Sequence, residues 1–315
     1  MPLFRRAGLL PGMRAPTTFA ALALLTAHAL CTAAVSMAAA AAPERATVLA
    51  AGDIAECDRF GASHTHAAST ANLVAAYLAR DPRARVLALG DVVYPSGTVR
   101  DFSACYHPTW GRFKARTLPA PGNHEYNTSG ARGYFDYFGA LAGPGYYAIS
   151  LGSWRVISLD SNTSGAAAAA QLAWLKQELA SHPTQCTLAY WHHPMYSSGG
   201  HGSLERMRAA WDLLQQAGAD IVLSGHDHDY ERFAPQDGQG RRDANGIRQF
   251  VVGTGGAFLT PFLRRRANSE MRDNSRYGVL KLELEAGRYR WEFLEAEYDG
   301  LPNGQAADHG EGQCH

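Results

Sequence analysis

Short apolar runs that end in glycine, aspartate, asparagine or histidine recur along this chain and limit what it can fold into. They are TVLAAGD (47–53), RVLALGD (85–91), TLPAPGN (117–123), RVISLD (155–160), TLAYWH (187–192), DIVLSGH (220–226) and RQFVVGTGG (248–256). They are too short for helices and apolar on both faces, as strands are in a sheet covered on both sides. Helical patterns fall between several of them. HAASTANLVAAYLARD carries Leu73, Tyr77 and Leu78 on one face, AAAAAQLAWLKQELASH follows RVISLD, and LERMRAAWDLLQQAG follows the HHP segment. Alternating strand and helix predicts the α/β class. YGVLKLELEAGRYRWEFLEAE then reads as two alternating strands joined at Ala286-Gly287, a hairpin. No repeat or internal linker divides the pattern. A single domain over 43–315 is expected, with a polar tail from about 299.

Residues 1–42 stand apart from that core. Arg5, Arg6 and Arg14 precede FAALALLTAHALCTAAV, which leads into SMAAAAA, the basic, apolar and small-residue order of a secretory signal peptide. His28 interrupts the apolar run below the ~20 residues a membrane span needs, so no stable membrane anchor is expected. Arg5-Arg6 matches a twin-arginine signal only weakly, and Cys31 lacks the residue order of a lipoprotein site. Export to a periplasmic or extracellular compartment follows. It leaves Cys57, Cys105, Cys186 and Cys314, an even number where disulfides form. Three pairings are possible. Cys57–Cys105 is favoured because both follow strand ends on one predicted rim, and Cys186–Cys314 because it would pin the polar tail. No CxxC spacing supports a cysteine metal site. Basic and acidic residues balance at 29 each, which gives no footing for a nucleic-acid partner.

In an open α/β sheet, ligands gather outside the carboxyl ends of the strands. Here those ends carry metal-capable side chains. Asp53 ends the first run, and Asp91, with Tyr94 three residues on, ends the second. Asn123 and His124 end the third, His192 ends TLAYW, and His226 and His228 follow DIVLS. Their oxygens and nitrogens suit hard or borderline cations. Each motif alone is modest, and the order of all five carries the signal. If residues 226–228 are extended, His226 and His228 point the same way.

Read together, Asp53, GDVVY, GNHE, WHHP and GHDH resemble the calcineurin-like metallophosphoesterases. Tyr94 and the stretch GHDHDYER resemble the purple acid phosphatase branch in particular, in its compact single-domain form. The resemblance covers roughly residues 46–296. It implies a four-layer α/β/β/α sandwich of two mixed sheets flanked by helices. It also implies that Asp53, Asp91, Tyr94 and His228 hold one ion, iron(III) in the purple enzymes. Asp91 would bridge to a second ion, iron(II), zinc or manganese, completed by Asn123, His192 and His226. Hydrolysis of a small phosphate monoester by a metal-bound hydroxide would then need no protein nucleophile, and no GxSxG elbow is present. His124 and His201 are the implied proton donors to the leaving group.

Two other readings compete. One is a phosphodiesterase or nucleotide hydrolase with the same site, the other a metal- or phosphate-binding protein without turnover. Asp58, Glu125, Asp229 and Glu231 are expected as cap, hydrogen-bond or salt-bridge groups, and Arg232 as the partner of a nearby carboxylate. Asp227 is expected to point away from the ions, into solvent or behind the ligands. His193 is expected behind the ligands at most, and His64, His66 and His107, near the predicted rim, in solvent, with contact to substrate as the alternative.

Overall fold

The first three apolar runs form β1 (Ala46–Ala51), β2 (Arg85–Leu89) and β3 (Thr117–Ala120), paired in parallel. A computed structural model describes residues 45–57, 61–297 and 302–315 of the chain. The expected signal peptide, Cys31 and Asp58 lie outside these residues, as does the first part of the tail. The strands that follow are β4 (Tyr147–Leu151), β5 (Trp154–Ser158), β6 (Cys186–Tyr190), β7 (Ile221–Ser224) and β8 (Tyr230–Phe233). After them come β9 (Arg248–Val252), β10 (Ser269–Asp273), β11 (Gly278–Glu285), β12 (Arg288–Ala296) and β13 (Pro302–Gln313). The helices are α1 (His66–Arg80), the single turn α2 (Val99–Asp101), α3 (Arg132–Phe138), α4 (Gly165–Ser181) and α5 (Arg208–Gln216).

Two mixed sheets result, ordered β13-β12-β11-β1-β2-β3 and β10-β8-β9-β7-β6-β5-β4. Strand alternation decides what each face buries. In β6, Leu188 and Tyr190 join the core shared with the first sheet. Ala189, with Trp191 just beyond the strand, joins a second core with Leu175 of α4 and Trp211 and Leu214 of α5. Leu73, Val74 and Leu78 of α1 belong to the first core, Thr65 capping that helix by accepting the Ala68 N–H. The α/β sandwich expected from the sequence is therefore present. Among the described residues, no helix is long and apolar enough to cross a membrane.

The tail differs from expectation. Residues Pro302–Gln313 are an edge strand, antiparallel to β12, with Gly310 opposite Trp291 and Gly312 opposite Tyr289. A Cβ on either glycine would stand 2.3 Å from the facing ring, so both rings lie across the bare backbone. At Gly310 and Gly312 the inward positions are empty, and there the usual apolar alternation has nothing to write it with. Asp308 continues the same strand face. It accepts from Tyr230 Oη at 2.7 Å, Arg232 Nε at 2.7 Å and Trp291 Nε1 at 3.1 Å. Tyr230 and Arg232 belong to β8, so one carboxylate ties the two sheets together. The disulfides are Cys57–Cys105 and Cys186–Cys314, with Cα separations of 5.7 and 5.4 Å, the pairing the sequence favoured.

Asp308→Ala should strand the buried Tyr230 phenol and leave the Arg232 guanidinium with Glu270 as its remaining ion-pair partner. A loss of about 2–4 kcal/mol in unfolding free energy is expected. Denaturant titration checks it, and a change below about 0.5 kcal/mol would show that the sheets hold without this carboxylate.

Candidate metal centre

The carboxyl ends of β1, β2 and β3 open onto the same rim as those of β6 and β7. His192 Nδ1, from the second sheet, donates to the Leu89 carbonyl at the end of β2 at 2.9 Å. Gly52 N donates to Val252 O at 2.9 Å, and Gly225 N to His192 O at 3.0 Å. This close approach has a backbone requirement. At Gly90, with φ 85°, a Cβ would stand 2.7 Å from the His192 ring, so only glycine fits. Gly122 is under the same constraint, its Cβ position lying 2.1 Å from Asp91 Oδ1.

All seven side chains read from the sequence as metal ligands meet here. Tyr94 Oη lies 2.9 Å from Asp53 Oδ1, 3.0 Å from His228 Nε2 and 3.4 Å from Asp91 Oδ2. His192 Nε2 lies 3.1 Å from Asp91 Oδ2, 3.1 Å from Asn123 Oδ1 and 3.3 Å from His226 Nδ1. Ligand atoms about 3 Å apart are the edges of a polyhedron whose centre sits roughly 2.1 Å from each corner, the bond length of small cations to oxygen and nitrogen. The two sets share one atom, Asp91 Oδ2. His228 Nδ1 donates to the Phe258 carbonyl at 2.7 Å, as His192 Nδ1 does to Leu89, and both Nε2 atoms are thereby turned inward.

Residues 226–228 are not extended, contrary to the sequence reading. His226 has φ 74°, and Asp53 and Asp91 also sit in the left-handed region, at 57° and 45°. A sharp turn, rather than strand alternation, brings the two imidazoles toward the centre. Left-handed backbone at non-glycine residues concentrates at functional sites.

Charge pairing holds the cluster together. Burial disfavours a charged Asp91, yet His192 beside it keeps this carboxyl below the usual range. The same burial pulls His192 down, and Asp91 prevails, lifting it to about 9. His228 rises likewise to about 9 against its burial, through Asp53. Burial and His192 push His226 down to about 3. The Tyr94 phenol is raised well above 10 by burial and by the charges of Asp53 and Asp91. A phenol flanked by two carboxylates ionises only when a cation joins them.

The neighbours sort differently. His124 and His201 line the same cavity, of about 260 Å³, with Asp91, Tyr94, Asn123, His226 and His228. His124 Nδ1 donates to Pro95 O at 2.7 Å. His201 Nδ1 stands 3.2 Å from Asp227 Oδ1, which also accepts the His201 backbone N–H at 2.7 Å. Asp227 is fully buried, so its expected place behind the ligands holds and the solvated alternative does not. Glu125 is fully buried too. It accepts from the backbone N–H groups of Asp91, Val92 and Gly122 at 3.0, 2.9 and 2.7 Å, and burial with the nearby Asp91 raises it to about 8. Glu231 accepts from Ser198 and Ser269, and Arg232 pairs with Asp308 and Glu270. Asp229 departs from expectation: it is buried, and neither oxygen has a hydrogen-bond partner among the described residues. His193 is buried against Ser161 Oγ at 2.8 Å. His64, His66 and His107 are exposed and stand outside the cavity. Glu56, Pro95 and Phe258 complete the cavity wall. No sequence signal singled them out, because each sits in a loop without periodicity.

A sequence model of the Calcineurin-like phosphoesterase family matches residues 46–230. Purple acid phosphatase 15 of Arabidopsis thaliana is 32% identical over 145 residues, covering 39% of this chain and 27% of its own length. Tartrate-resistant acid phosphatase type 5 of Sus scrofa is 28% identical over 145 residues, covering 43% of this chain and 40% of that protein. The chain thus matches less than half the length of these curated relatives. Among solved structures, the purple acid phosphatase PPD1 from yellow lupin seeds superposes with a TM-score of 0.65 at 21% identity, covering 86% of this chain and 54% of that one. GAP50, the anchor in the inner membrane complex of Plasmodium, also gives 0.65, at 12% identity, over 86% of this chain and 89% of its own. At those identities the structural likeness shows a shared fold. The family match spans more than half the chain and takes in every strand end from β1 through β7, and by it the chain belongs to the calcineurin-like phosphoesterase family, in a branch similar to the purple acid phosphatases.

Proposed function

We propose that this chain is an exported phosphoesterase that hydrolyses small phosphate monoesters at a two-cation centre. The observation that carries this reading is Asp91 Oδ2, common to two sets of ligand atoms spaced like adjoining coordination polyhedra. Asp53, Asp91, Tyr94 and His228 would hold one cation, iron(III) by the family resemblance. Asp91, Asn123, His192 and His226 would hold the second, iron(II), zinc or manganese. Bound there, two such cations would supply water activation and electrostatic stabilisation of the phosphate oxygens during in-line displacement.

The chain's own groups do the rest. Glu125, gathering four backbone N–H groups, fixes the turn that presents Asp91. The leaving alkoxide needs a proton, and His201 and His124 are the lining groups able to give one. The hydrogen bond to Asp227 raises His201 above its ordinary value, which favours the imidazolium form a donor must hold. The two disulfides among the described residues and the basic, apolar, small-residue order of residues 1–42 support export.

Metal analysis should find two cations per chain. In an iron(III)-containing preparation, Tyr94→Phe should abolish the visible tyrosinate absorption band while leaving the far-ultraviolet circular dichroism of the fold in place. A band that survives the substitution would remove Tyr94 from the ligand set. His201→Ala should lower kcat on an alkyl phosphate by about 10²-fold, the usual weight of a general acid, and by much less on a nitrophenyl ester, whose leaving group needs no proton. Turnover of nitrophenyl phosphate should exceed that of its bis-nitrophenyl analogue. The reverse order would assign the site to diesters.

A further inference from the structure

Once the metal-ligand candidates and the two histidines are set aside, three cavity-lining groups remain for the organic part of a substrate. They are a carboxylate, Glu56, and two apolar rings, Pro95 and Phe258. No lysine or arginine lines the cavity among the described residues. Phe258 is 60% exposed, an unusual state for a phenylalanine, and its ring centre lies 5.1 Å from that of His228 in an edge arrangement. Its carbonyl accepts from His228 Nδ1 at 2.7 Å, and its N–H donates to Glu56 Oε2 at 3.1 Å. The Glu56 carboxylate is therefore tied to the backbone of Phe258, and that backbone to His228 at the edge of the centre.

We infer that Glu56 and Phe258 form a leaving-group subsite for a phosphate ester of an amino alcohol, in which a protonated or quaternary nitrogen sits two carbons from the ester oxygen. An aromatic face attracts a cation through its quadrupole, and a neighbouring carboxylate adds direct Coulomb attraction. The same carboxylate repels a leaving group that carries a further negative charge. The subsite thus selects against phosphorylated acids and polyphosphates while leaving neutral alcohols between the two. This assignment rests on the phosphoesterase reading above and gives it a substrate class.

Three nearly isosteric esters test it with the metal-loaded full chain: 2-aminoethyl phosphate, n-propyl phosphate and phosphoglycolate. In the wild type, kcat/KM should fall in that order, with about a threefold to tenfold advantage of aminoethyl over propyl, the scale of one partly exposed charge contact. Glu56→Gln keeps an oxygen for the Phe258 N–H and loses only the charge, so the aminoethyl-to-propyl ratio should fall most of the way toward one, the ring's share remaining. Phe258→Leu keeps an apolar side chain without the ring and should lower the same ratio in part. A ratio unchanged by Glu56→Gln, or a wild-type preference for phosphoglycolate, overturns the subsite. Turnover of nitrophenyl phosphate without discrimination among the three esters overturns it alone. Absence of turnover on every ester overturns the phosphoesterase reading as well.

Discussion

The contact between His192 Nδ1 and the Leu89 carbonyl, made over the bare backbone of Gly90, is the constraint on which the rest of the site depends. It joins the end of a strand in one sheet to the end of a strand in the other. With the two rims fixed at that distance, Asp53, Asp91 and Tyr94 from the first sheet face His192, His226 and His228 from the second. Neither sheet alone carries all seven metal-capable side chains. The sandwich is the means by which two incomplete sets are brought to one line, with Asp91 Oδ2 on the boundary.

Behind that line stands a ring of buried carboxyl groups with no place in coordination. Glu125 gathers the turn after β2. Asp227 receives His201, Ser197 and Gly202, and Glu231 receives Ser198 and Ser269. Each converts loose backbone or hydroxyl donors into a rigid support, so the inner side chains keep their rotamers without reorganising when charge changes at the centre. His201 is the point where this outer ring reaches the cavity.

Much of this was legible in the sequence because strand ends and ligands coincide. Short doubly apolar runs announced the parallel strands, and the residues at or just after the ends of five of them are the ones that gather at the rim. The expectation that Asp91 bridges two cations came from the family resemblance, because no spacing rule supplies it. What escaped notice has physical reasons. β13 hides because Trp291 and Tyr289 occupy the space its own side chains would fill, leaving Gly310 and Gly312 as its inward face. β4 is a half-buried edge strand with little contrast between its faces. The turn at His226 does not show in the sequence because a left-handed histidine has no signature in composition. Glu56 and Phe258 meet from positions 202 residues apart, and only the folded chain brings them together.

Asp53, Asp91 and His226 all hold backbone conformations that L-residues other than glycine avoid, at a cost of order 1–3 kcal/mol each. Like charges and buried polar groups are packed among them. The rim is therefore a local deficit that the surrounding sandwich must carry, and a cation entering it would offset part of that deficit. Selection for thermal endurance alone would drift these three positions toward glycine or asparagine, and the protein would grow sturdier as it lost its purpose.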